Sequence, residues 1–124
     1  MPRRDARLAN KAEVLGLLPA ADGGEPLAID TAFLRAHPVH HEHLGGSAIV
    51  IVTDASGANR VYASTGVRFD RYDGDRTLTG ADGRTWQLHE DALRSDERAL
   101  PRMPAHRAFW FGWHAAFPHT RLVK

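Results

Sequence analysis

The sequence of 124 residues contains no cysteine. That absence removes disulfides, thiolate-held zinc or iron–sulfur centres, thiol nucleophiles and dithiol redox chemistry. Lysine is nearly as scarce: of sixteen basic residues only Lys11 and Lys124 are lysine, and fifteen acidic residues leave a net charge of +1. No overall field commits the chain to nucleic acid or to an anionic surface. Arg94 to Lys124 holds a local basic excess, spread too thinly and without an aromatic platform for nucleic acid. No hydrophobic run approaches the ~20 residues of a membrane span, and the basic stretch Met1–Asn10 lacks the apolar segment of a signal peptide. The expectation is a cytoplasmic protein with no membrane span and no nucleic-acid partner, either a monomer or a homodimer. Phosphate-binding and dinucleotide fingerprints are missing. The serines are Ser47, Ser56, Ser64 and Ser95, and Gly45-Gly46-Ser47 is not a nucleophile elbow.

What remains is an ordinary soluble composition, 43% hydrophobic and 25% charged, in a chain long enough to bury about two-thirds of its unfolded surface. Residues 1–12 read as a flexible arm and 13–124 as a single domain. Glu13–Leu18, closed by Pro19, and Leu27–Ile29 read as a strand hairpin around Asp22-Gly23-Gly24. Asp30 looks like the N-cap of a short helix that Pro38 ends near Ala36. The β-branched run Ser47–Thr53 is the best strand, suited to burial on both faces. Arg60–Ser64, Arg68–Tyr72, Thr77–Thr79 and Arg84–His89 continue as an antiparallel meander with turns at Asp73-Gly74 and Asp82-Gly83. Ala92–Met103 reads as irregular surface anchored by Leu93 and Leu100. Pro104 opens a helix over Ala105–Ala116 that stops ahead of Pro118, and Arg121–Val123 is an edge strand. The fold class is α+β: a small, mostly antiparallel sheet of six or seven strands tending toward a half-barrel, covered by that aromatic-rich C-terminal helix. Trp86, Trp113, Phe109, Val50, Ile51, Phe69 and Leu88 are the expected core.

Eight histidines stand out. Pro38 prevents a helix across His37–His43, so the i, i+4 ligand geometry of helical zinc sites is excluded. In an extended chain His41 and His43 share one face, and His40 and Glu42 the other. A His-x-His pair on one face, joined by a third His from elsewhere, could hold Zn, Cu or Ni, with His40, His41 and His43 as the candidate ligands. The plainer reading is a solvated connecting loop whose imidazoles titrate near neutral pH, with no cofactor at all. A second set, His106, Trp110 and His114 with Arg107 beside them, falls on one stripe of the expected helix. It lines either a ligand cleft or a haem or partner surface, or else Trp110, Trp113 and Phe117 fill the core with the histidines at its rim. Glu90-Asp91 and Asp73/Asp75 read as solvated acids.

Gly83-Arg84-Thr85-Trp86, Leu100-Pro101-Arg102, Phe109-Trp110-Phe111-Gly112-Trp113 and Phe117-Pro118-His119-Thr120 together resemble the bacterial and archaeal family of domains of unknown function numbered 3179. The resemblance covers roughly residues 13–123, with Val14-Leu15-Gly16, Phe33-Leu34 and Gly45-Gly46 in matching order. It brings no established activity. It does imply a contrast: longer members carry a cysteine or selenocysteine motif just after a strand like Ile49–Val52, where this chain has Thr53-Asp54-Ala55-Ser56-Gly57. The expected function is therefore a non-enzymatic binding or accessory domain. The alternative is a transition-metal-binding protein or metal-dependent enzyme built on the His37–His43 cluster.

Overall fold

A computed structural model describes residues 7–19 and 24–124, in twelve strands and two short helices. The described residues form two compact units. One comprises residues up to Phe33, Leu44–Gly46 and Ala105–Lys124; the other comprises Leu34–His43 and Ser47–Pro104.

The first unit is a four-stranded sheet in the order β11-β1-β2-β12. Strands β1 (Glu13–Leu17) and β2 (Leu27–Asp30) form the expected hairpin, with Leu15 opposite Ile29. Strand β11 (His106–Phe109) lies antiparallel to β1, and β12 (Arg121–Val123) parallel to β2. Helix α2 (Trp110–Ala116) contributes Trp110 and Trp113 to a core with Val14 and Ala28. Trp113 lies so close to β1 that a Cβ on Gly16 would sit 2.3 Å from its Cζ3. Its indole N–H donates to Thr120 Oγ1 at 2.9 Å, and that hydroxyl donates on to the Pro26 carbonyl.

The helix is shorter than the expected Ala105–Ala116, because residues 106–109 pair with β1 and edge pairing overrides helical spacing. Phe109 is the extended N-cap (ψ 144°) and lacks a side-chain cap. Instead the carbonyls of Ala12 and Asn10 accept from the N–H groups of Trp110 and Phe111 at 2.8 and 3.0 Å. Backbone thus supplies acceptors for donors that a helix start leaves orphaned. Of the expected arm, residues 1–6 lie outside the described residues, while residues 7–12 make these bonds and pack Leu8 on the core. Phe109, expected in the core, is 61% exposed, because the pairing that buries Trp110 turns its neighbour outward.

Helix α1 (Thr31–Ala36) follows β2 directly. Asp30 Oδ1 accepts from the Ala32 N–H at 3.2 Å, the expected cap, and Leu34 is fully buried.

The second unit is an eight-stranded sheet in the order β3-β4-β5-β10-β9-β8-β7-β6. Its strands are β3 (Val39–Leu44), β4 (Ser47–Thr53), β5 (Asn59–Ala63), β6 (Phe69–Tyr72), β7 (Thr77–Gly80), β8 (Thr85–Leu88), β9 (Ala92–Arg94) and β10 (Ala99–Met103). The six or seven expected strands are thus twelve in two sheets. Two of the additions, β9 and β10, occupy the stretch read as irregular. They are too short for period-2 patterning to register, yet Leu100 sits opposite Leu93 and both are buried. Of the polar His37–Leu44 stretch, Val39–Leu44 is edge strand β3 and not a loop. Gly45 and Gly46, with φ of 57° and 84°, supply the left-handed turn into β4.

Strand β4 is buried from Ile49 to Thr53 as its composition predicts. The core of this unit is Val50, Val52, Tyr62, Phe69, Leu78, Trp86, Leu93 and Leu100, with Phe69 and Trp86 edge-to-face at 5.7 Å. Leu88 is only partly buried against it. The outermost strands, β3 and β6, meet through a side chain. His41 Nε2 accepts from the Phe69 N–H at 3.2 Å, and the imidazole stacks on the Phe69 ring at 6.0 Å. The sheet is nearly closed, and an imidazole spans its seam.

Candidate site at the loop end of the eight-stranded sheet

Three loops gather at one end of the eight-stranded sheet. The loop after β4 is organised by Asp54. Its Oδ1 accepts from the Ser56 N–H (2.9 Å), the Ser56 hydroxyl (2.6 Å) and the Ala58 N–H (3.1 Å), an Asx turn completed by Gly57 with φ of 90°. Its Oδ2 takes the Arg60 guanidinium at 2.8 Å. The Ser56 hydroxyl and Arg60 hold the carboxyl well below its usual range, at about 2.

The loop after β6 repeats the device, with Asp73 Oδ1 accepting from the N–H groups of Asp75, Arg76 and Thr77. The Ala55 N–H donates to the Gly74 carbonyl at 3.4 Å and ties the two loops together. In the third loop, Glu90 receives Arg60 Nε at 2.9 Å and Arg102 Nη1 at 3.3 Å, and these two cations lower its pKa. The Tyr62 hydroxyl donates to the His89 carbonyl, and burial pushes the phenol up to about 12.

Two open clefts flank Asp54. One, of about 340 Å³, is bordered by Arg35, Thr53, Ser56, Gly57 and Gly74; the other, of about 300 Å³, by Arg60, Asp75, Arg76, His89 and Glu90. Arg60 and Arg102 are committed to carboxylates. Among the described residues, the guanidinium groups of Arg35 and Arg76 have no carboxylate partner. The first cleft offers Arg35 beside a neutralised acid, which suits an anionic ligand better than proton transfer; in the second, Arg76 stands with Asp75, for which no cation partner is found among the described residues. An acid held near 2 and saturated with donors is a poor general base at neutral pH.

The histidines of β3 fall differently. His40 Nε2 lies 3.2 Å from Glu42 Oε1 on one face, while His41 points to the other and is engaged by Phe69. Burial, then Arg68 and His40, lower the His41 pKa. As an acceptor at Nε2, its neutral ring carries the proton on Nδ1. His43 borders a further cleft of about 280 Å³ with His41, Glu42, Ser64 and Arg68. Among the described residues no three His, Asp or Glu side chains are grouped to hold a metal ion. For His41 to ligate through Nε2 it would have to release Phe69.

The set His106, Arg107, Trp110 and His114 is not one helical stripe. His106 and Arg107 belong to β11, where Arg107 bonds Glu13 at 2.9 Å. Trp110 is fully buried, with the His114 ring at 5.4 Å and the Arg7 guanidinium 5.1 Å above it.

Sequence reasoning left out Arg35, Arg60, Arg76 and Arg102 and set Glu90 aside as solvated. The Asp-x-Ser-Gly turn after β4 was a readable signal for the loop. The convergence of Arg60, Glu90 and Arg102 needs the β5–β10 pairing, which has no local signature.

A family model described as "Protein of unknown function (DUF3179)" matches residues 1–120. The chain belongs to this family. No curated protein and no solved structure matches it. This DUF3179 chain places Thr53–Gly57, the stretch singled out by the family resemblance, on the wall of the first cleft. Among its described residues no helix is long and apolar enough to cross a membrane, which says nothing of spanning by strands.

Proposed function

We propose that this protein is a non-catalytic binding module whose loop end takes a small molecule bearing a carboxylate or phosphate. The observation that carries the reading is the pair of clefts around Asp54, each offering a guanidinium, Arg35 or Arg76, without a carboxylate partner among the described residues. Arginine suits such oxyanions because its planar fork can donate two parallel hydrogen bonds. Asp54 acts as scaffold: its acceptor sites hold the loop and Arg60, so the cleft wall is formed before a ligand arrives and less ordering entropy opposes binding.

The test is titration with inorganic phosphate, citrate and a nucleoside monophosphate, followed by amide chemical shifts of residues 53–58 and 73–76. Saturable shifts in those loops, weakened about tenfold or more in Arg35→Ala/Arg76→Ala, are expected. Absence of saturable binding by all three anions, or binding unchanged in the double variant, would sink the reading.

A further inference from the structure

The cleft of about 300 Å³ on the Glu90 side of Asp54 holds two charges of opposite sign that the protein leaves unmatched. Its other charges cancel. Arg60 bonds Asp54 at 2.8 Å and Glu90 at 2.9 Å, and Glu90 also takes Arg102, so two acids and two cations close into one network. Asp75 and Arg76 line the same cleft outside that network. Among the described residues, the Asp75 carboxylate and the Arg76 guanidinium pair neither with each other nor with a third group.

The backbone that carries these two side chains is fixed. Asp73 Oδ1 accepts from the N–H groups of Asp75 and Arg76 at 2.8 and 3.0 Å. The Asp75 carbonyl accepts from the Tyr72 hydroxyl at 2.9 Å, and the Arg76 carbonyl from the Leu88 N–H at 2.7 Å. Every main-chain polar group of the two residues is thus engaged, and both side chains leave a held turn. Exposed neighbours of opposite charge are ordinary, and each contributes little when it simply faces water. Two that border one walled cleft without meeting set a stricter demand on an occupant. A simple anion suits Arg76 but is repelled by Asp75, and a simple cation meets the converse. A ligand bearing both charges a short distance apart satisfies the two together.

We infer that this cleft binds the main-chain end of a free α-amino acid, with its carboxylate on Arg76 and its ammonium on Asp75. The inference rests on the anion-binding function proposed for the loop end and narrows it at this one cleft. A guanidinium fork takes a planar carboxylate through two parallel hydrogen bonds. An ionised Asp75 presents acceptors only, which suits an ammonium with three donors. The volume lies at the small end of ligand clefts, in keeping with a ligand of few atoms. Leu88 and His89 offer its side chain an apolar and an aromatic neighbour.

The experiment is a calorimetric screen of the common L-amino acids against the full chain, with amide chemical shifts of residues 75–76 and 88–90 locating the site. The strongest binder is then compared with its N-acetyl form, which lacks the main-chain ammonium, and its carboxamide, which lacks the main-chain carboxylate. Each is expected to bind about tenfold more weakly, the loss of one charged hydrogen-bonded pair. Arg76→Gln should weaken the free amino acid and the N-acetyl form alike. Asp75→Asn should weaken the free amino acid about tenfold yet strengthen the N-acetyl form, an inversion that a disturbed loop would not give. Circular dichroism melting shows whether each variant is folded; if Asp75→Asn is not, the two ligand derivatives on the unaltered chain decide. An N-acetyl form that binds as tightly as the free amino acid, or affinities unmoved in a folded Asp75→Asn, overturns the inference. So does a screen in which no amino acid binds; if phosphate or citrate still shifts residues 53–58 and 73–76, the anion-binding function stands without it. Failure of every amino acid and every anion would remove both.

Discussion

The two units differ in how far along the chain their partners lie. In the eight-stranded unit most neighbours in the sheet are neighbours in sequence: β6 to β10 pair each with the next, as do β4 and β5. In the four-stranded unit only β1 and β2 do so. Its outer strands come from the far part of the chain, and the bonds Arg107–Glu13 and Thr120–Pro26 each span 94 residues. The first unit to be read from local pattern is therefore the larger one. The smaller depends on contacts that no window of sequence displays.

The largest expected effect lies in the eight-stranded unit. Trp86→Ala removes a buried ring that meets Phe69 edge-on, and should cost about 3–5 kcal/mol in denaturant unfolding. A cost near that of an exposed substitution would show that the Val50-to-Leu100 cluster is not one packed core. Next is the four-stranded unit's close approach. Gly16→Ala forces a methyl into Trp113 and should cost about 1–3 kcal/mol, with a changed near-ultraviolet tryptophan signal. An unchanged spectrum and stability would mean that α2 shifts freely over β1. Thr120→Val orphans the Trp113 indole N–H and should cost about 1–3 kcal/mol, so a neutral result would remove the polar clip from the account of that unit.

The smallest effect concerns the seam. The His41 pKa is lowered in the fold, so the unfolded chain binds the proton more readily. The stability His41 contributes is fully present above its ordinary value of 6.5 and declines as pH falls below it. Protonation also removes the acceptor at Nε2. Thermal melts across this range should show the decline, and His41→Gln should flatten it. An identical pH profile in wild type and variant would mean that His41 does not hold β3 to β6.

Legibility in the sequence followed the same division. The β1–β2 hairpin, the Asp30-capped helix and the buried β4 were readable because each has its cause within a dozen residues. Strand β3 was not, since His40, His41, Glu42 and His43 give no apolar alternation to an edge strand whose inward position is filled by an imidazole. Strand β11 read as helix because Pro104 and the following aromatics fit a helix start, and only the distant β1 decides otherwise. At the loop end, the Asp54 turn was visible as a loop. The charges around it were not assembled, because Glu90 joins Arg60 and Arg102 only after β5 and β10 pair. The histidine cluster was conspicuous for its residue type, yet type alone gives no direction: successive imidazoles on a strand face opposite ways.

Drawing β11 and β12 from so late in the chain has a consequence for synthesis. The β1–β2 hairpin leaves the ribosome with both outer edges unpaired. At ordinary translation speeds the 94 residues that separate Glu13 from Arg107 take roughly 5 to 20 s to appear. Through that interval a two-stranded ribbon, marginal by itself, offers Val14, Leu15 and Ile29 to any passing strand. The nascent chain has a built-in waiting period, and its yield should respond to elongation rate and to holding chaperones more than its finished stability would suggest.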